Sequence, residues 1–417
     1  MDSWQRTRVM DVPEFARLLK QKNPESEVWW DASPVACEAF KTRMKLKYPT
    51  ALEYIDCLMP SHFRLSPWGL SGATTNPGLV SQEVLRTPDV WRHFIQAHPG
   101  GPYNDEAQVS RALYDQVIID GAQVLQPLWQ RSNGGQGWLS AQVEGGDRLD
   151  VSALVARGLQ LARLAPNIMV KVPGSEEGYR AIEALVAKGC SINNTLCFTV
   201  SQAAACLKAI HAGRLRAEVD GVDTRRARYV ISFMIGRLGA EAEFERQARH
   251  RRLRLTPVDR RWAELAIYQA IQALMRRWQT PARVLLCSLK VDTDRRGREH
   301  CWHLQRTGAD TTLYTLTPEI IEFLIRRYQL DRAVTPATEW VQVPRRVMNR
   351  LIALPYFNQA YFEGDLPPAR FRQHPAFITA AANARQGHER LVAFVRASRA
   401  VESVCPASVQ RPLERAS

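Results

Sequence analysis

The chain lacks any run of about 18 apolar residues, so no helical membrane span is expected. Its first 20 residues mix charges through every apolar run, and no secretory signal is expected either. The eight cysteines are scattered without a CxxC pair, so neither a zinc site nor a disulfide framework is implied. A reducing cytoplasm fits that usage. There is no Gly-rich GxGxxG turn to mark a dinucleotide site, no low-complexity tract and no internal repeat.

What remains is the composition of a globular protein with a sizeable core, 45% hydrophobic and 24% charged over 417 residues. The net charge is +14, from 56 Lys and Arg against 42 Asp and Glu, and arginine is dense between 225 and 277. Such a patch has two readings, a nucleic-acid footprint or a helix surface whose field attracts small anions. The segment has helical spacing at Trp262, Leu265, Ala266 and Gln269, with no aromatic-interleaved strand for base stacking. The second reading is therefore expected, with neither nucleic acid nor membrane as a partner.

Short β-branched runs alternate with amphipathic stretches. Strands are expected at 27–31, 69–74, 137–143, 167–172, 192–197, 228–233, 283–288 and 311–314, and helices at 78–96, 105–129, 150–164, 176–188, 200–211, 259–278 and 318–328. Alternation of this kind implies βαβ units and a parallel sheet. Eight units fit a single (β/α)8 TIM-type barrel, with a doubly wound open sheet as the alternative. The expected organisation is a helical segment at 1–26, the barrel over 27–330, C-terminal helices over 331–404 and a frayed tail at 405–417. Residues 331–344 read as a connector. The C-terminal helices carry Phe357, Tyr361, Phe362, Phe371 and Phe377 as apolar anchors for packing on the barrel.

Lys171 stands out in this pattern, as an amine inside the run Asn167-Ile168-Met169-Val170-Lys171-Val172-Pro173. Parallel strands are covered by helices on both faces, so an ammonium there is costly to desolvate and its pKa should fall. A neutral amine attacks carbonyls, and Schiff-base formation is its commonest enzymatic use. The bland alternative is a lysine at a strand end that snorkels to water. Barrel chemistry sits at the C-terminal strand ends. Those ends carry Asp31, Thr75-Asn76, Gln142, Lys171, Asn193 with Thr195, Ser232 followed by Arg237, and Ser288 with Lys290. Alternation along a strand puts Asn193 with Thr195 on one face, and Ser288 with Lys290 on another. That many polar ends around one buried lysine are hard to explain as packing.

Four segments carry a resemblance to the transaldolase family. They are Ala73-Thr74-Thr75-Asn76-Pro77; Pro166-Asn167-Ile168-Met169-Val170-Lys171-Val172-Pro173 with Glu177-Gly178; Asn193-Asn194-Thr195-Leu196-Cys197-Phe198-Thr199; and Ser232-Phe233-Met234-Ile235-Gly236-Arg237. The resemblance implies that Lys171 forms the Schiff base and Asp31 is an acid/base residue. Asn76, Asn193 and Ser232 would hold a three-carbon fragment, and Arg237 with Lys290 a phosphate, near Ser288. The implied substrate is a phosphorylated sugar. No metal or organic cofactor is needed, because the iminium is the electron sink. An oligomer is possible.

The chain departs from the family at one catalytic position. Where the family reads Ser-x-Glu-Val-Asp, with the glutamate acting on a water, this chain reads Ser140-Ala141-Gln142-Val143-Glu144. An amide holds a water but exchanges no proton near neutrality. Gln142 and Thr195 are expected to hold that water, with Glu144 as a substitute acid on the same face. The fructose-6-phosphate aldolases also carry glutamine there, but pair it with a tyrosine after strand six. This chain has Met234 instead. The expected activity is ketol-unit transfer between sugar phosphates, in a specialised biosynthetic pathway. Aldolase-like cleavage and a binding barrel without turnover are the alternatives.

Overall fold

The computed structural model describes residues 13–97, 105–144 and 150–400. The described residues form ten strands: β1 (Glu27–Trp30), β2 (Gly72–Thr74), β3 (Trp138–Gln142), β4 (Ile168–Pro173), β5 (Ile192–Cys197), β6 (Tyr229–Phe233), β7 (Arg283–Leu286), β8 (Asp292–Thr293), β9 (Glu299–His300) and β10 (Thr312–Leu316). Eight of them close into a parallel barrel in the order β1-β10-β7-β6-β5-β4-β3-β2, while β8 and β9 form a separate antiparallel hairpin. The fold is a (β/α)8 barrel. Helices cover the outer face, so both faces of each barrel strand are removed from water.

Nine helices bear on the site: α1 (Pro77–Arg86), α2 (Glu106–Arg131), α3 (Val151–Leu164), α4 (Glu176–Ala187), α5 (Val200–Val219), α6 (Ile235–Leu238), α7 (Pro257–Trp278), α8 (Pro318–Gln329) and α9 (Pro375–Ala400). The βα turns end on side-chain caps. Asn76, Asp150, Ser175, Thr199, Thr256 and Thr317 each accept a hydrogen bond from a backbone N–H of the following first turn. Each such cap contributes roughly 1 kcal/mol and fixes where the strand-end loop stops.

Alternation along the strands sorts the barrel interior into layers. Trp29, Trp138, Met169, Val230, Leu285 and Leu313 form an apolar floor. Gly72 has to lack a side chain, because a Cβ there would meet the Trp29 indole at 2.7 Å. Below the floor, Glu27 accepts from Trp29 Nε1 at 2.8 Å and pairs with Arg228, whose guanidinium lies 5.6 Å from the Trp29 ring centroid. One step above it, Asn193 donates to Ser140 Oγ at 2.8 Å and accepts from Ser232 Oγ at 2.7 Å, a polar belt across the barrel.

Several elements differ from the expectations. The helix expected at 78–96 is two helices, because Pro88 cannot continue the first and starts the second. Helix α5 runs eight residues beyond position 211, to Val219, and β10 runs to Leu316 rather than 314. Two helices, Cys37–Lys47 and Leu52–Leu58, and the β8–β9 hairpin were not anticipated. Of the C-terminal anchors, Phe357, Phe371 and Phe377 are buried, but Phe362 is 39% exposed. Tyr361 is half-buried at the edge of the core. Residues 1–12 and the tail at 405–417 lie outside the described residues.

Candidate active site

The C-terminal strand ends open onto a cavity of about 880 Å³. Asp31, Asn76, Gln142, Lys171, Thr195, Ser232, Arg237, Ser288 and Lys290 all line it. Asn193 does not. It is fully buried in the belt beneath, with its amide already spent on Ser140 and Ser232, so it supports the cavity floor and positions the Ser232 hydroxyl.

Lys171 sits on β4 opposite Gln142 of β3 and Asn193 of β5 in register. The residue is 7% exposed and lines the cavity. Nζ donates to the Thr75 carbonyl at 3.0 Å. That carbonyl is held in place because the Thr75 N–H and hydroxyl both bond the Ser140 carbonyl, at 2.9 and 2.8 Å. Burial lowers the Lys171 pKa below its ordinary value; the charge on Asp31 opposes this, and burial is the larger effect. The same burial pushes the nearby Cys287 thiol up to about 12, with Asp31 adding to it, so that group stays protonated.

Asp31 lies just past the end of β1. Its two oxygens accept from Thr74 at 2.8 Å and from Thr315 at 3.3 Å, one on each neighbouring strand. The carboxylate is therefore aimed at the cavity by two hydroxyls that the sequence reading passed over. Asn76 caps α1, accepting from Leu79 N at 3.1 Å, which leaves its amide NH2 for the cavity. Gln142 is fixed at the main chain, where its N–H donates to and its carbonyl accepts from the Tyr114 hydroxyl, at 3.1 and 2.9 Å. Thr195 precedes Leu196, which has a positive φ of 53° at an irregularity in the β5–β6 register. Such a bulge re-aims side chains next to it.

Glu144 does not substitute for the missing carboxylate. Strand β3 ends at Gln142, and Glu144 binds Arg157 through two bonds at 2.6 and 3.1 Å, with Asp115 on the other side of the same guanidinium. Ser288 and Lys290 reach the cavity by a different route from the one expected. β7 stops at Leu286, and Ser288 has a left-handed φ of 59°, so a turn rather than strand alternation brings both to the mouth. That turn is braced from behind by a buried network. His303 Nδ1 accepts from Lys290 N at 3.1 Å, and His303 Nε2 faces Glu264 at 2.8 Å. Glu264 also accepts from Arg261 and from Gly239 N just after α6. One carboxylate thus ties the Lys290 turn to the helix that carries Arg237. Burial and then the neighbouring Arg237 and Arg261 charges lower the Lys290 pKa.

The sequence reading placed the C-terminal helices on the barrel but not in the site. Helix α9 crosses the mouth, and its Thr379, Asn383, Gln386 and Arg390 line the cavity. It comes so close to α1 that a Cβ on Gly387 would run into the backbone of Gly78. With its amide oxygen turned toward the guanidinium, Asn383 accepts from Arg237 at 2.5 and 3.2 Å. A glycine inside an otherwise good helix was the available signal, since it marks close backbone approach. Among the described residues, no three His, Cys, Asp or Glu side chains gather as a metal centre requires, and no helix is long and apolar enough to cross a membrane.

The pattern of the transaldolase/fructose-6-phosphate aldolase family matches residues 51–349. A transaldolase of Thiobacillus denitrificans is 32% identical over 183 residues, 42% of this chain and 49% of that protein. Transaldolase 1 of Streptomyces avermitilis is 29% identical over 174 residues, 41% and 46% of the two chains. A transaldolase of Saccharopolyspora erythraea is 28% identical over 181 residues, 43% and 48%. The chain thus spans about half the length of the curated relatives it matches. The family match covers well over half of the chain, which belongs to the transaldolase/fructose-6-phosphate aldolase family.

Proposed function

We propose that this chain catalyses transaldolase-type transfer of a ketol unit between sugar phosphates through a Schiff base on Lys171. The observation that carries the reading is the Lys171 amine, buried, lowered in pKa and open to a cavity that also contains Asp31. The neutral amine adds to the ketose carbonyl, and the carbinolamine loses water to give an iminium. A water held by Gln142 and Thr195 assists the proton movements of that dehydration. Asp31 takes the proton from the hydroxyl beta to the iminium carbon. The adjacent C–C bond breaks, its electrons enter the iminium to form an enamine, and an aldehyde leaves. A second aldehyde captures the enamine, and hydrolysis releases the new ketose. Asn76 and Ser232 hold the three-carbon fragment over the Asn193 belt. Arg237 supplies a planar fork for the phosphate, and Lys290 a point charge beside Ser288.

The aldolase alternative ends with water quenching the enamine. Met234 lines the cavity where the aldolases that share the glutamine carry a tyrosine, so the group that accompanies the glutamine in that outcome is missing here. The test is borohydride reduction in the presence of a panel of ketose phosphates, followed by peptide mapping. The expected result is a secondary amine on Lys171. An adduct on another lysine, or none across the panel, removes the mechanism.

A further inference from the structure

A second cavity, of about 1080 Å³, lies outside the barrel mouth between the β8–β9 hairpin, the start of α7 and the connector after α8. Four arginines line it, Arg254, Arg261, Arg295 and Arg306, against two aspartates, Asp292 and Asp294. The aspartates are already committed. Asp292 receives Arg261 through two bonds at 2.7 and 3.0 Å, and Asp294 receives Arg298 at 2.8 Å together with the N–H groups of its own turn. Arg254, Arg295 and Arg306 have no carboxylate partner among the described residues.

Arg306 is the informative one. Its guanidinium lies 3.7 Å from the ring centroid of Trp302 and 4.9 Å from that of Trp262, and the two indoles meet edge to face at 5.2 Å. Stacking on aromatic faces holds the group rigid and part-desolvated. Burial lowers its pKa, and no acidic neighbour opposes the shift. A cation that gives up water without gaining a counter-charge is destabilising unless something else supplies the charge.

We infer that this cavity is a second anion site, distinct from the barrel mouth, which takes a small compound bearing two linked or neighbouring phosphate groups through Arg306, Arg254 and Arg295. A single phosphate satisfies one fork, and the three uncommitted cations around a cavity of this size call for two. The face of Trp302 is already covered by Arg306, so recognition runs through the phosphates and not through stacking of a base.

The test is calorimetric titration of the full chain with inorganic pyrophosphate, and with orthophosphate as the single-phosphate control. Arg237→Ala serves as the background, so that binding at the barrel mouth is weakened. In it, pyrophosphate should still bind, and more tightly than orthophosphate. Adding Arg306→Ala should weaken that binding about 10- to 100-fold, the scale of lost charge-assisted hydrogen bonds. If circular dichroism shows that loss of the Trp262–Arg306–Trp302 stack unfolds the chain, the exposed pair Arg254→Ala with Arg295→Ala reads the same site without touching the stack. Pyrophosphate affinity that vanishes with Arg237→Ala alone, or that ignores all three cavity arginines, overturns the inference. So does a single-stranded RNA that binds through these arginines where pyrophosphate does not, because the surface would then belong to a nucleic acid.

Discussion

The floor and the mouth of the barrel are built from the same strands, two to four residues apart, and they do opposite work. On β1 the inward positions run Trp29 then Asp31; on β3, Trp138, Ser140 and Gln142; on β4, Met169 then Lys171. The lower residues are large and apolar, and close the barrel. The upper ones are polar and partly desolvated, which costs stability. A barrel strand therefore has a register in which one step of alternation separates packing from chemistry. A one-residue slip would exchange the inward set for the outward one and destroy both together.

The largest effects come from setting one layer against the other. Lys171→Met should abolish both turnover and the borohydride adduct while raising stability, since it removes a buried amine. The sign of the pH dependence follows from the lowered pKa. In the folded chain Lys171 sheds its proton below 10.5, its ordinary value, so the unfolded chain binds more protons between the two pKa values. The stability of the wild type therefore rises with pH over that window, and the advantage of Lys171→Met should shrink as pH approaches 10.5. Adduct formation should likewise rise with pH through the lowered pKa. Trp138→Ala is the counterpart on the floor and should cost about 3–5 kcal/mol of stability. Denaturant melts and adduct yields on both variants check the contrast. A Lys171→Met protein less stable than wild type would mean that the amine is part of the packing.

Asp31→Asn comes next. It keeps the side-chain shape between Thr74 and Thr315 and removes the base. Turnover should fall by roughly two to four orders of magnitude, while the adduct still forms. Wild-type turnover in this variant takes Asp31 out of the mechanism. Arg237→Ala is milder, at about 10- to 100-fold in affinity, and should fall on phosphorylated substrates alone. Equal loss on dephosphorylated analogues would mean that Arg237 only braces α9 through Asn383.

Much of the layer structure was legible, because period-2 alternation and one misplaced amine survive in the bare sequence. The bounds of β5, 192 and 197, and the eight barrel strands both follow from it. The polar ends at Gln142, Lys171, Thr195 and Ser232 follow from that count. The rest depends on contacts between segments far apart in the chain. Nothing local in Thr74 and Thr315 says that they meet at Asp31, and nothing in Asn193 says that Ser140 and Ser232 will consume its amide. Strand alternation also misled beyond Leu286, where the chain turns through a left-handed residue. Helix α9 was read as a packing element because its apolar spacing shows that face; its polar face meets the cavity only once Gly387 seats it on Gly78.

The smallest expected effect is at Gln142, the mouth position where this chain leaves the pattern of its family. A carboxylate there would face Lys171 across the β3–β4 register and join Asp31 near the amine. An opposite charge favours the ammonium form, so Gln142→Glu should move the pH profile of adduct formation upward. If the site merely lacked a water-activating acid, the variant would gain transaldolase activity on fructose 6-phosphate with erythrose 4-phosphate. The expected outcome is a change of less than about tenfold, or roughly 1.4 kcal/mol in the barrier, with loss on the native substrate. Two observations support that expectation. Glu144, the other acid on the segment, is held by Arg157, so no proton relay stands ready behind position 142. Met234 also lines the cavity, where the aldolases that share the glutamine carry a tyrosine, so the pocket differs at more than one point. A buried carboxylate would then replace the amide that holds the water with Thr195, at the cost of burying a charge beside the substrate. A coupled assay of both proteins on the two sugars decides it. A gain well beyond tenfold would place Gln142 among the residues that only weaken an ordinary transaldolase mouth.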